Sequence, residues 1–182
     1  MSKEFVASRL DVAAFAREGA SLAGREPLRQ RSRLLDETRG EGADLPVQWT
    51  AQGQAVAVTG GDPQVWLHLK ASAVLPLTCQ RCLAPVDVTL TVDRAFRFVA
   101  DEATALAQDD ESEEDLLVLS REFDLVELVE DELLREMPAV PRHEVCPTEV
   151  KLVATDAEFE AQAAAKPHPF AALQKLKADK GN

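Results

Sequence analysis

The chain has 182 residues, a formal charge of -12, 46% apolar residues, three cysteines and no tyrosine, which fits one domain with tails. Such acidity argues against broad adhesion to nucleic acid, because neutralising phosphates needs clustered Lys and Arg. No apolar run approaches the roughly 20 residues that cross a bilayer, so the expectation is a soluble, cytoplasmic protein with no membrane contact.

The first 44 residues read as a short helix and a basic connector. Asp11 is placed to cap a helix from Val12 through Phe15 and Ala16, with Gly19 and Gly24 marking its decay. From Arg25 to Arg33, four arginines, among them Arg29, Arg31 and Arg33, face one acid, Glu26. This stretch is a candidate for phosphate or RNA contact, with an exposed connector as the plainer alternative.

Residues 45–150 read as the core domain. Val47 and Trp49 alternate with polar neighbours, Gly53 permits a turn, and Val56 and Val58 follow before Gly60-Gly61-Asp62-Pro63. Val65, Leu67, Leu69, Ala71, Ala73, Leu75 and Leu77 take every odd position, which predicts a strand with one buried face. A matching strand carries Val86, Val88, Leu90, Val92, Phe96 and Phe98, and the two pair as a long antiparallel hairpin whose turn holds Cys79 and Cys82.

Residues 101–115 contain eight acids and no base, which reads as a mobile loop. Leu116 to Leu119 add a short strand. Asp124 and Glu127 then form a capping-box pattern ahead of a helical stripe of Leu125, Val126, Leu128, Val129, Leu133 and Leu134, ended by Pro138. Residues 151–182 read as a flexible tail, with Phe170, Leu173 and Leu176 on one face of a short basic helix. The expected fold class is α+β: a curved antiparallel sheet with a long central hairpin, packed against one main helix, with flexible helical termini.

The three cysteines and His143 carry the sharpest chemical signal. A Cys-x-x-Cys turn brings two sulfurs within reach of one ion, and His143 and Cys146 supply a second pair, so Cys79, Cys82, His143 and Cys146 make a candidate Cys₃His site for one structural zinc ion. Against this stands the reading of the cysteines as small apolar fillers or free thiols, with His143 on the surface. Redox chemistry lacks a surrounding βαβ pattern. There is no Gly-x-Ser-x-Gly elbow, Walker loop or glycine-rich dinucleotide turn. Glu127, Glu130, Asp131 and Glu132 fit a solvated helix face better than an acid–base constellation. Arg81, between the first two cysteines, is a further candidate contact for a partner or RNA, as are Glu130 and Asp131 for a basic partner.

Three segments resemble one family, the bacterial and plastid YceD proteins, known as large ribosomal RNA subunit accumulation proteins. They are Leu77-Thr78-Cys79-Gln80-Arg81-Cys82, the run from Asp124 to Leu134 leading to Pro138-Ala139-Val140-Pro141-Arg142-His143 and Cys146, and Lys166-Pro167-His168-Pro169-Phe170-Ala171-Ala172-Leu173. The resemblance implies a non-enzymatic ribosome-biogenesis role in the synthesis, processing or stability of large-subunit (23S) rRNA. The acidity then suggests association with the large-subunit precursor through a basic ribosomal protein or assembly factor, with local rRNA contact from the arginine stretch and basic tail. A zinc-stabilised interaction module outside the ribosome and a thiol redox or metal-delivery protein are the alternatives.

Overall fold

A computed structural model describes residues 4–149 and Phe159. The chain divides into two compact units, Met1–Val145 and Cys146–Asn182. Of the second, Cys146–Glu149 and Phe159 are described, so the expected tail helix at Phe170–Lys177 lies outside the described residues.

The first unit is built on a five-stranded sheet in the order β1-β2-β3-β4-β5, comprising β1 (Ser21–Pro27), β2 (Pro46–Val56), β3 (Gln64–Thr78), β4 (Pro85–Val99) and β5 (Asp115–Val118). Four α-helices accompany it among the described residues: α1 (Val12–Arg17), α2 (Ser32–Glu37), α3 (Glu102–Gln108) and α4 (Leu125–Arg135). The α+β class expected from the periodicities is the one observed. The first four strands pair antiparallel, and β5 joins β4 in parallel after the chain crosses over through α3, so the sheet is mixed. No helix among the described residues is long and apolar enough to cross a membrane.

The alternation in β3 and β4 sets the two faces. Leu67, Leu69, Leu75, Leu77, Leu90, Val92 and Phe96 point into the core, where Phe15 of α1 and Leu125, Val129 and Leu133 of α4 join them. α1 packs on β2 and β3, and α4 on β3 and β4. The other face carries exposed Gln48, Thr50, Gln52, His68, Lys70, Thr91 and Asp93. Helix starts follow their caps: the Asp11 carboxylate accepts from the Ala14 amide at 3.0 Å, and Asp124 accepts from the amides of Val126 at 2.9 Å and Glu127 at 3.0 Å.

Several local expectations change. Gly53 makes no turn; β2 runs straight through it to Val56, because a bare Cα there lets Phe15 and the Ala16 backbone of α1 approach the strand. Ser21–Pro27, read as connector, is an edge strand: Gly24 lies opposite Trp49, and the indole covers the space a Cβ would need. The acidic stretch, read as a loop, contains α3, whose start is capped by Asp101 accepting from the Thr104 amide at 2.7 Å.

Candidate metal centre

The β3–β4 hairpin closes over Cys79–Ala84. The Cys79 amide donates to the Ala84 carbonyl and the Leu83 amide to the Cys79 carbonyl, both at 2.9 Å, which folds the Cys-x-x-Cys segment into a tight loop. Cys79 follows the buried odd positions of β3 and is itself 0% exposed, whereas Cys82 is half-buried. α4 ends at Arg135, and the chain beyond it returns to the tip, where the Gln80 amide donates to the Pro141 carbonyl at 2.8 Å. The Arg81 guanidinium spans the same junction, donating to the carbonyls of His143 at 2.9 Å and Glu144 at 3.2 Å.

These bonds bring the His143 imidazole to the hairpin, with its Nδ1 3.4 Å from Cys82 Sγ. Cys146, three residues on, completes the set through local chain continuity. The ligand atoms of Cys79, Cys82, His143 and Cys146 all lie within 4.8 Å of one another. All four residues named from spacing are therefore brought together, in a Cys₃His cluster that can hold a metal ion.

The chemistry of the donors suits a thiophilic divalent ion. Zinc bonds of about 2.3 Å to sulfur and about 2.0 Å to nitrogen, at tetrahedral angles, put the two donor atoms about 3.5 Å apart, close to the Cys82–His143 separation. Burial raises the Cys79 thiol, but hydrogen bonds from the backbone of Cys82, Arg81 and His143 and from the His143 side chain outweigh it and bring the pKa down from 9.0 to about 5. Cys79 is thus a thiolate at neutral pH, the form that binds metal.

The other candidate residues fall elsewhere. Arg29 pairs with Asp44, Arg31 with Glu26, and Arg33 with Asp131 at 2.6 Å and Glu130 at 3.6 Å. Arg31 is 2% exposed, so the arginine stretch is largely drawn into intramolecular pairs. The solvated-face reading of α4 is corrected at two positions, since Glu130 is 9% and Glu132 2% exposed. Glu130 accepts from the Arg33 amide at 2.9 Å and the Leu34 amide at 3.2 Å, capping the first turn of α2 from outside, where the helix has orphan donors. Glu132 accepts from Arg94 at 3.1 Å and Arg135 at 2.9 Å, and Arg94 also reaches Asp115 at 3.0 Å. Arg94 escaped the sequence reading, yet it is the one break in the inward stripe between Val92 and Phe96, a signal that a buried acid faces it.

A cleft of about 730 Å³ at the α1 end of the sheet is lined by residues including Gln54, His68, Lys70 and Asp93. There Lys70 pairs with Asp93 at 3.0 Å and His68 meets Gln54 at 3.1 Å, so these groups are tied to one another.

Two comparisons bear on identity. The family described as large ribosomal RNA subunit accumulation protein YceD matches residues 67–177, a span that contains all four clustered ligands. A Haemophilus influenzae protein named large ribosomal RNA subunit accumulation protein YceD is 36% identical over 123 residues, covering 64% of this chain and 68% of that protein. No solved structure matches the chain.

Proposed function

The chain belongs to the YceD family, and from that premise we propose that it is a non-enzymatic factor supporting the accumulation of large-subunit (23S) ribosomal RNA, with one structural zinc ion held by Cys79, Cys82, His143 and Cys146. The observation that carries this reading is the coincidence of the family match with the metal-ligand cluster, both spanning the hairpin tip and the exit of α4. The ion would supply cross-linking rather than reaction chemistry, since four protein ligands leave no position open for substrate. The rest of the work falls to the protein: Arg81 and Gln80 hold the two halves of the site in register, and the Asp124 cap sets where α4 begins.

The partner that fits this charge is a basic ribosomal protein or assembly factor on the large-subunit precursor, met in the cytoplasm. The net charge of -12 opposes bare RNA, and the pairing of Arg29, Arg31 and Arg33 with carboxylates leaves that stretch less suited to phosphate. Depletion followed by ribosome profiling tests the role: a deficit of large subunits relative to small ones is expected, and unchanged profiles refute it. Tight binding of purified protein to naked rRNA, with a steep salt slope and no partner, would refute the acidic-adaptor part.

A further inference from the structure

α3 is a helix that buries nothing. None of its seven residues is buried, although packing an apolar face is what normally holds so short a helix together. Thr104, Ala105 and Gln108, half-buried, turn toward the body, and the exposed Ala103, Leu106 and Ala107 fall at i, i+3 and i+4 on the opposite side. The apolar stripe thus faces solvent, with Leu106 83% exposed. Polar bonds hold the two ends instead: Asp101 caps the start, and the Arg97 guanidinium of β4 donates to Gln108 at 2.9 Å and, beyond the end, to Ser112 at 2.8 Å.

The charge on this element narrows the kind of partner. Asp101, Glu102, Asp109, Asp110, Glu111 and Glu113 are exposed, and no ion pair among the described residues reaches any of them. Arg97 is taken by Glu114, and Arg94 and Arg135 by Asp115 and Glu132. Arg121, the next base along the chain, lies past the opposite end of β5 from Glu111, in a cleft with Asp11 and Arg17. The acidity is therefore not cancelled locally. Asp109, Asp110 and Glu111 also follow the helix C-terminus, where the dipole favours cations, and the last turn of α3 holds no base. Their carboxylates do not converge on an ion: among the described residues, the one group of metal-type donors within reach of a common ion is the Cys₃His cluster. The same charge repels phosphate. An unpartnered apolar stripe running into uncompensated acids fits a groove on a protein with Lys or Arg at one end. We propose that α3 is a docking helix, with Leu106 entering such a groove on a basic protein and Asp109, Asp110 and Glu111 meeting its cations. Only the location of that protein rests on the ribosomal reading.

The test uses the full chain with the photo-crosslinking residue p-benzoylphenylalanine in place of Ala107 in growing cells. It is combined with Leu106→Gln, with Leu106→Met, or with the triple change Asp109→Asn, Asp110→Asn and Glu111→Gln. Because α3 has no buried residue, all three variants are expected to keep the wild-type thermal midpoint and metal content. Leu106→Gln and the triple variant are each expected to co-sediment with large-subunit precursors about tenfold less, while Leu106→Met, still apolar, retains most of it. A crosslink to an identified basic protein of those precursors, weakened by both changes, supports the proposal. The same crosslink and losses on a basic protein outside ribosomal particles keep the docking helix and overturn the ribosomal reading. A loss from only one of the two changes refutes the contact whose change is tolerated. A crosslink to rRNA, no crosslink, or both variants co-sedimenting like the wild type overturns the docking helix, while wild-type co-sedimentation still upholds the ribosomal role.

Discussion

Cys79 is pulled two ways. Burial disfavours its charged form, and the amides of the turn together with His143 favour it more strongly, so its pKa falls from 9.0 to about 5. A group whose folded pKa is depressed stabilises the fold fully above its unfolded value and loses that contribution as pH falls through the folded one. In metal-free protein, the stability difference between wild type and Cys79→Ala is therefore expected to grow as pH rises from about 5 to 9, read by urea unfolding at several pH values. A difference independent of pH would show that the thiolate is not favoured. Glu130 poses a different problem at the same scale: its carboxylate closes two orphan amides at the start of α2. Glu130→Ala is expected to cost about 1–3 kcal/mol in denaturant unfolding, through amides left without an acceptor. Arg94→Met, which leaves buried Glu132 with Arg135 alone, is expected to cost a similar amount, about 1–3 kcal/mol.

At the scale of elements, the sequence was most informative where one physical demand acts alone. β3 and β4 alternate because one face is buried, and Asp11 and Asp124 sit where helix starts need acceptors, so these features were legible. The missed features depend on distant partners. β1 has one large apolar residue, Leu22, and becomes a strand by pairing with β2. Gly53 looks like a turn residue until α1 is seen packed over it, with a Cβ there 2.6 Å from Phe15 Cδ1 and 2.9 Å from the Ala16 backbone. Gly53→Ala is accordingly expected to destabilise the protein by about 1–3 kcal/mol, because α1 must move off the sheet. Tolerance of that substitution with an unchanged unfolding midpoint would contradict the packing. Spacing named the four residues of the Cys₃His cluster, but the role of Arg81 in joining His143 and Glu144 to the hairpin was invisible until the two segments met in space.

At the scale of the whole molecule, the cluster ties the end of the longest hairpin to the exit of the main helix, regions about sixty residues apart in the chain. Closing so long a loop in the unfolded chain is entropically expensive, so a metal that holds it shut only in the fold stabilises the native state strongly. On the zinc proposal, adding a chelator is expected to lower the unfolding temperature by several degrees and to free the tip, with the far end of the sheet near α1 less affected. Hydrogen exchange would show that gradient as faster exchange at Cys79–Ala84 and at residues 140–146.

Metal content and thiol accessibility, measured on the same freshly purified chain, test the central claim most directly. One zinc per chain is predicted, with three cysteines slow to react until a chelator is added and with Cys82→Ser and His143→Ala each losing most of the metal. Metal-free protein whose three thiols titrate at once, and whose stability is untouched by added zinc, would contradict it.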